Sequence, residues 1–257
     1  MVARESGGGI DALGFEQVGQ RLAIVMILDL HPDIRIEQLT IGAEKAPLLV
    51  IDHFVADPER LVRRAAARQL RAAGVNYPGI RTEAPLGYQQ LFRDRLSKTL
   101  FDCFAVTGRS LAFPMCHYSL VTTPPAQLTP LQRIPHIDST DGHGLATVHY
   151  LFRGDLGGTA FYRHRASGFE FIDAARKDAY YSRIEQLVRD PRSLPAEYIN
   201  GDTEHFEQIA SVPAAFNRML VYRRNSLHSG SIGKDFVPDP NPSTGRLSIN
   251  CFIDPMP

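Results

Sequence analysis

Cysteine is scarce in this chain of 257 residues. Only Cys103, Cys116 and Cys251 occur, odd in number and widely spaced. No CxxC pair is present, so a zinc ribbon has no sequence basis. The three are expected to be reduced and mostly buried, as in a cytoplasmic protein. An excess of either charge is also missing, because 28 basic residues meet 28 acidic ones. That balance argues against a nucleic-acid groove or a polybasic membrane contact and favours a small-molecule substrate. Long apolar runs are absent too. Leu22 to Leu28 is too short to span a bilayer, lacks a small-residue cleavage site and runs into Asp29. A soluble, unprocessed chain is therefore expected. There is no internal repeat, GxSxG element, Walker loop or strand-borne GxGxxG, and no cysteine stands in a nucleophile context.

What is present reads as an ordinary globular protein, 44% hydrophobic and 22% charged, long enough for one β-rich domain with its own core. Residues 1–20 show little periodicity and are expected to be a loose terminus. Leu48 to Ile51 reads as a buried strand. Asp57-Pro58-Glu59 is a helix start, with the helix running to about Ala73 and stopping at Gly74. Its many arginines are expected to form a solvated face. Turn chemistry at Asn76 to Arg81 predicts a loop, and a second helix is expected from about Gln89 to Phe104. From Cys116 onward short apolar or alternating runs predict strands at Cys116–Thr122, Ala146–Phe152, Thr159–Tyr162, Arg218–Arg223 and Arg246–Ile253. One helix, about Phe171 to Arg189, interrupts them.

The chemistry centres on His136-Ile137-Asp138. Residues i and i+2 of an extended segment share a side, so both polar groups can face one cavity. His228, 92 residues after His136, follows a strand-like run and is placed to supply a third ligand. Two imidazoles and a carboxylate on one face of an iron leave three coordination positions open, which suits oxygen chemistry. Arg246, at the start of the last strand, carries a guanidinium fork able to hold a carboxylate.

In order, His136-Ile137-Asp138, Thr147 to Leu151, Gly157-Gly158, His228-Ser229-Gly230 and Gly245 to Asn250 resemble the Fe(II)/2-oxoglutarate-dependent dioxygenases, prolyl-hydroxylase-like members in particular. The resemblance covers residues 116 to 254. It implies an α+β fold with a double-stranded β-helix core, of the jelly-roll or cupin-like kind, supported by N-terminal helices. Residues 21–257 would be a single domain, with 21–115 as a supporting α/β portion and 116–257 as the double-stranded β-helix. It further implies Fe(II) on His136, Asp138 and His228, 2-oxoglutarate as cosubstrate, ascorbate in support, and hydroxylation of a small-molecule or amino-acid-like compound with release of succinate and CO2. Arg246 would hold the distal carboxylate, with His149, Ser248 and Tyr118 around the cosubstrate. The His228 to Arg246 gap is longer than usual in such relatives, so Arg223 and Arg224 stand as substitutes. Tyr77, Arg81, His143 and Asn250 are the candidates for substrate contact.

Two other readings use the same residues. One is a non-catalytic metal- or ligand-binding stress-response protein; the other is a cupin-like metalloenzyme that does not use 2-oxoglutarate. Arg163 and Arg165 are expected to be exposed strand-end charges. The sequence has no code for the substrate or the oligomeric state.

Overall fold

The computed structural model describes residues 26–257, apart from 73, 75 and 191–193. The expectation of a loose terminus at 1–20 and most of the Leu22–Leu28 run lie outside these residues. Two antiparallel sheets face each other, and helices cover their outer sides. The large sheet has the order β1 (Arg35–Ile41), β2 (Ala46–Asp52), β9 (Met219–Arg223), β6 (Leu145–Tyr150), β11 (Leu247–Met256), β5 (Ser110–Val121), β4 (Gly79–Glu83) and β3 (Arg71–Ala72). The small sheet has the order β10 (His228–Ser231), β7 (Gly158–His164) and β8 (Phe206–Val212). Strands β1 to β4 thus make half of the large sheet, so the first part of the chain is built into the same layer as the second.

Alternation along β11 shows how the layers are addressed. Leu247, Ile249, Cys251 and Ile253 enter a core with the helices α1 (Pro58–Ala66), α2 (Leu86–Arg95) and α3 (Ser97–Phe104). Ser248, Asn250 and Phe252 face the other sheet. A strand whose polar face is turned inward, not to solvent, leaves room for a polar cavity between the sheets. Between the sheets, Leu48, Val50, Ala146, Tyr150, Phe161, Leu220 and Tyr222 form a second apolar cluster. On the far side of the small sheet, helix α4 (Lys177–Arg189) packs Tyr180 and Ile184 against Tyr162 and Phe206.

Helix α1 begins as its sequence dictates. The Asp57 carboxylate accepts from the Arg60 amide at 2.9 Å, Pro58 fills the first turn, and Leu61 and Ala65 are buried. It ends at Ala66, short of the expected end at Ala73, which is outside the described residues. The chain is diverted into β3, whose Arg71 and Ala72 pair with Arg81 and Ile80. That long-range pairing also turns the expected loop through Arg81 into strand β4. The single helix expected over 89–104 is two, broken at Leu96. Strands β1 and β8 had no expectation attached, since their mixed residues give weak alternation.

Cys116 and Cys251 lie directly opposite each other on β5 and β11 and are bonded as a disulfide. This corrects the expectation of three reduced thiols. The partners are 135 residues apart, and only strand register brings them together. Among the described residues no helix is long and apolar enough to cross a membrane.

Candidate metal centre

His136 does not sit on a strand of its own. Its backbone pairs with His228 at the edge of the small sheet: the His136 amide donates to the His228 carbonyl at 2.9 Å, and the return bond is 3.0 Å. Two residues on, the Asp138 amide donates to the Arg224 carbonyl at 2.8 Å. These bonds fix the HxD segment alongside the chain that leads into β10. The side chains then converge. The Asp138 Oδ1 lies 3.8 Å from His136 Nε2, and its Oδ2 lies 3.5 Å from His228 Nε2. One ligand atom from each of the three residues falls within 4.8 Å of the others. Two nitrogens and one carboxylate oxygen, with no thiolate, form a donor set suited to a divalent iron-type metal.

The tautomer of His228 is set by its surroundings. Its Nδ1 lies 2.9 Å from the Ser226 carbonyl, which can only accept. The proton therefore sits on Nδ1, and Nε2 presents a lone pair toward Asp138 and His136. The His136 side chain is 55% exposed and lines the cavity. Its apolar surroundings, and next the neighbouring His228, push its pKa down to about 4. The His136 imidazole is thus available as a neutral ligand near neutral pH.

These three residues line a cavity of about 500 Å³ between the sheets, and Arg246 lines the same cavity. Arg246 is 6% exposed. Its Nε and Nη2 donate to the carbonyls of Leu156 and Gly158, each at 2.8 Å. Among the described residues no carboxylate pairs with it, and burial lowers its pKa. The Gly157-Gly158 pair is explained here. A β-carbon on Gly158 would come within 2.1 Å of the Val212 carbonyl, so glycine is needed where β7 and β8 meet beside the arginine. Gly230 lies beside the guanidinium as well: a β-carbon there would stand 3.7 Å from Arg246 Nη2, an ordinary contact distance. Gly230 is two residues along β10 from His228, on the same face. The guanidinium therefore meets the face of β10 that carries His228.

Of the other expected residues, Ser248, Asn250, Tyr77 and Arg81 line the cavity. Ser248 donates to the Asn250 side-chain oxygen at 2.7 Å. His149 does not line it, and this is a correction. Its register places it on the helix side of β6, where Nδ1 lies 3.1 Å from the Tyr88 hydroxyl and Nε2 lies 3.1 Å from Asn217 Oδ1. Val148 lines the cavity in its place, and Tyr150 points into the apolar cluster between the sheets, because a shift of one residue exchanges the faces of a strand. Tyr118 is corrected for the same reason, being fully buried toward the helices. His143 is exposed in the loop after Asp138 and does not line the cavity. Arg223 and Arg224 lie outside it too: Arg223 donates to the carbonyls of Gly142 and Phe104, and Arg224 pairs with Asp254. Arg163 pairs with Glu170 and Glu207, and Arg165 with Asp202, as structural charges. Ser229 and Gly230 are part of β10.

Several cavity residues had no sequence signal. Tyr180 and Tyr181 arrive from α4, Tyr198 from the segment before β8, and Ile232 from beyond β10. A helical tyrosine pair could have been noticed as polar-tipped, but nothing in the sequence says which cavity it meets.

A family described as of unknown function, DUF6445, matches residues 32–253. None of the curated proteins matches. Among solved structures, HygX from Streptomyces hygroscopicus, with nickel and 2-oxoglutarate bound, is similar at 12% identity and a TM-score of 0.47. The match covers 82% of this chain and 84% of that one. SnoN, a non-heme alpha-ketoglutarate-dependent epimerase from nogalamycin biosynthesis, is similar at 13% identity and a TM-score of 0.39, covering 79% and 75%. Both likenesses are remote.

Proposed function

The chain belongs to DUF6445, a family of unknown function, and we propose from its site that it is an Fe(II)- and 2-oxoglutarate-dependent oxygenase acting on a small molecule. The observation that carries this reading is the placement of Arg246. It is a buried guanidinium with no carboxylate partner among the described residues, in the same cavity as His136, Asp138 and His228. Arg246 and the three candidate ligands on the walls of one cavity suit a five-carbon dicarboxylate chelating a metal at one end and held by arginine at the other. On this reading the two sheets are the faces of a double-stranded β-helix, and residues before 116 extend and support it.

Each residue has a task on this reading. His136, Asp138 and His228 hold the metal, with the Ser226 carbonyl keeping His228 in the ligating tautomer. Arg246 is oriented by the Leu156 and Gly158 carbonyls and offers its remaining N–H groups to the distal carboxylate. Tyr77, Tyr198 and Phe252 wall the cavity and limit water around the site. With iron and 2-oxoglutarate bound, O2 would be the oxidant: one of its oxygen atoms would go to succinate as CO2 is released, and the other to the substrate.

The test is binding before turnover. With a redox-inert divalent metal, 2-oxoglutarate should raise the melting temperature in a concentration-dependent way. With Fe(II) and ascorbate, succinate should form. A protein that binds metal but not 2-oxoglutarate would favour the cupin-like reading, and one that binds neither would overturn the proposal.

A further inference from the structure

Arg81 is a second cation in the cavity that the metal and its cosubstrate do not account for. It lies on β4, lines the cavity, and stacks its guanidinium carbon 3.8 Å from the centroid of the Tyr77 ring. Its one hydrogen bond among the described residues is a weak one, from Nη1 to the Met115 sulfur at 3.7 Å. Its buried Nε has no partner. No carboxylate lies within ion-pair distance among the described residues, although Asp138 is near enough for its charge to be felt. Arg81 is half-buried, and a partly desolvated guanidinium without an anion carries a cost that pairing would relieve.

The charges of the filled site sharpen the point. A divalent metal, Arg246 and Arg81 bring four positive charges; Asp138 and a 2-oxoglutarate dianion bring three negative ones. One positive charge is left over, and it is on Arg81. The Tyr77 stack holds the guanidinium plane in place, so it is preorganised for a planar anion. The same cavity is also lined by Ile134, Tyr180, Tyr181 and Ile184, which suit an apolar or aromatic body.

Resting on the oxygenase reading, we propose that Arg81 is the specificity residue for a substrate carboxylate, so the substrate is a small organic carboxylate with an apolar or aromatic body.

The experiment uses the full chain loaded with zinc(II) and saturating 2-oxoglutarate. The probes are phenylacetate, 3-phenylpropionate and N-acetyltyrosine, each beside its neutral primary amide. Calorimetric titration should show each acid binding about tenfold or more tighter than its amide, the low end for a hydrogen bond to a charged group. Arg81→Met should erase that discrimination, and Arg81→Lys should restore part of it. Metal-dependent 2-oxoglutarate binding is measured on every variant, so loss of the fold or of the cosubstrate site shows separately. Equal binding of acid and amide by the parent protein, or no binding of any acid at millimolar concentration, overturns the proposal. So does discrimination that survives in Arg81→Met, or that is lost only in Arg246→Met. If the parent protein fails to bind 2-oxoglutarate, the oxygenase reading fails instead; the same titrations with zinc(II) alone then show whether Arg81 still selects carboxylates.

Discussion

His136 and His228 exchange backbone hydrogen bonds of 2.9 and 3.0 Å, so the first and last residues of the proposed ligand set are strand neighbours, although 92 positions separate them. The pairing brings both imidazoles together before any metal arrives. Their rings lie 4.4 Å apart, with Asp138 against each.

This preorganisation predicts that the three side chains act as a unit. Asp138→Ala and His228→Ala should each lower the affinity for a divalent metal by at least about 100-fold, the upper end of what removing a mere supporting residue does. Metal titration followed by calorimetry measures this. Retention of metal affinity in both variants would sink the assignment.

Gly230 should govern the anion slot. Valine there places branched methyls beyond a β-carbon that already stands 3.7 Å from Arg246 Nη2. Gly230→Val is expected to weaken 2-oxoglutarate binding while metal binding persists. Arg246→Met should weaken it by roughly 10- to 150-fold, the value of a charged hydrogen-bonding group. Both are read from 2-oxoglutarate titrations in the presence of zinc.

His149 predicts a pH dependence of stability. Burial, opposed by its hydrogen bond to Asn217, holds its pKa at about 4 in the folded chain, against 6.5 for the free group. As pH falls below about 6.5 the unfolded chain takes up a proton that the folded chain refuses. Stability is therefore lost between pH 6.5 and 4, by about 3 kcal/mol at most, and this contribution levels off below pH 4. Urea unfolding across that range should show a shallower slope for His149→Gln than for the parent. Parallel slopes would remove His149 as the cause.

Glu170 should be a structural carboxylate. Its side chain is 2% exposed, accepts from the Ala43 and Glu44 amides at 2.9 Å each, and pairs with Arg163. Glu170→Ala should cost about 3 kcal/mol, at the low end for breaking a buried pair because Arg163 keeps Glu207. Denaturant midpoints test this, and the metal affinity of the folded fraction should be preserved.

The sequence by itself determined the donor types of the candidate site and some of the elements around it. HxD spacing put His136 and Asp138 on one side, the Asp57-Pro58 signal started α1, and the alternation of Arg246, Ser248 and Asn250 put three polar groups on one face. These are local facts, set by backbone period and side-chain chemistry. Which face of a strand meets the cavity is not local. His149 and Tyr118 alternate correctly, yet pairing register turns them toward the helices, because a shift of one residue exchanges the two faces of a strand. The same register joins Cys116 to Cys251, makes β4 of the expected loop, and sets Arg81 over Tyr77. Only the tertiary structure could decide these, since each depends on contacts between segments with no fixed spacing along the chain.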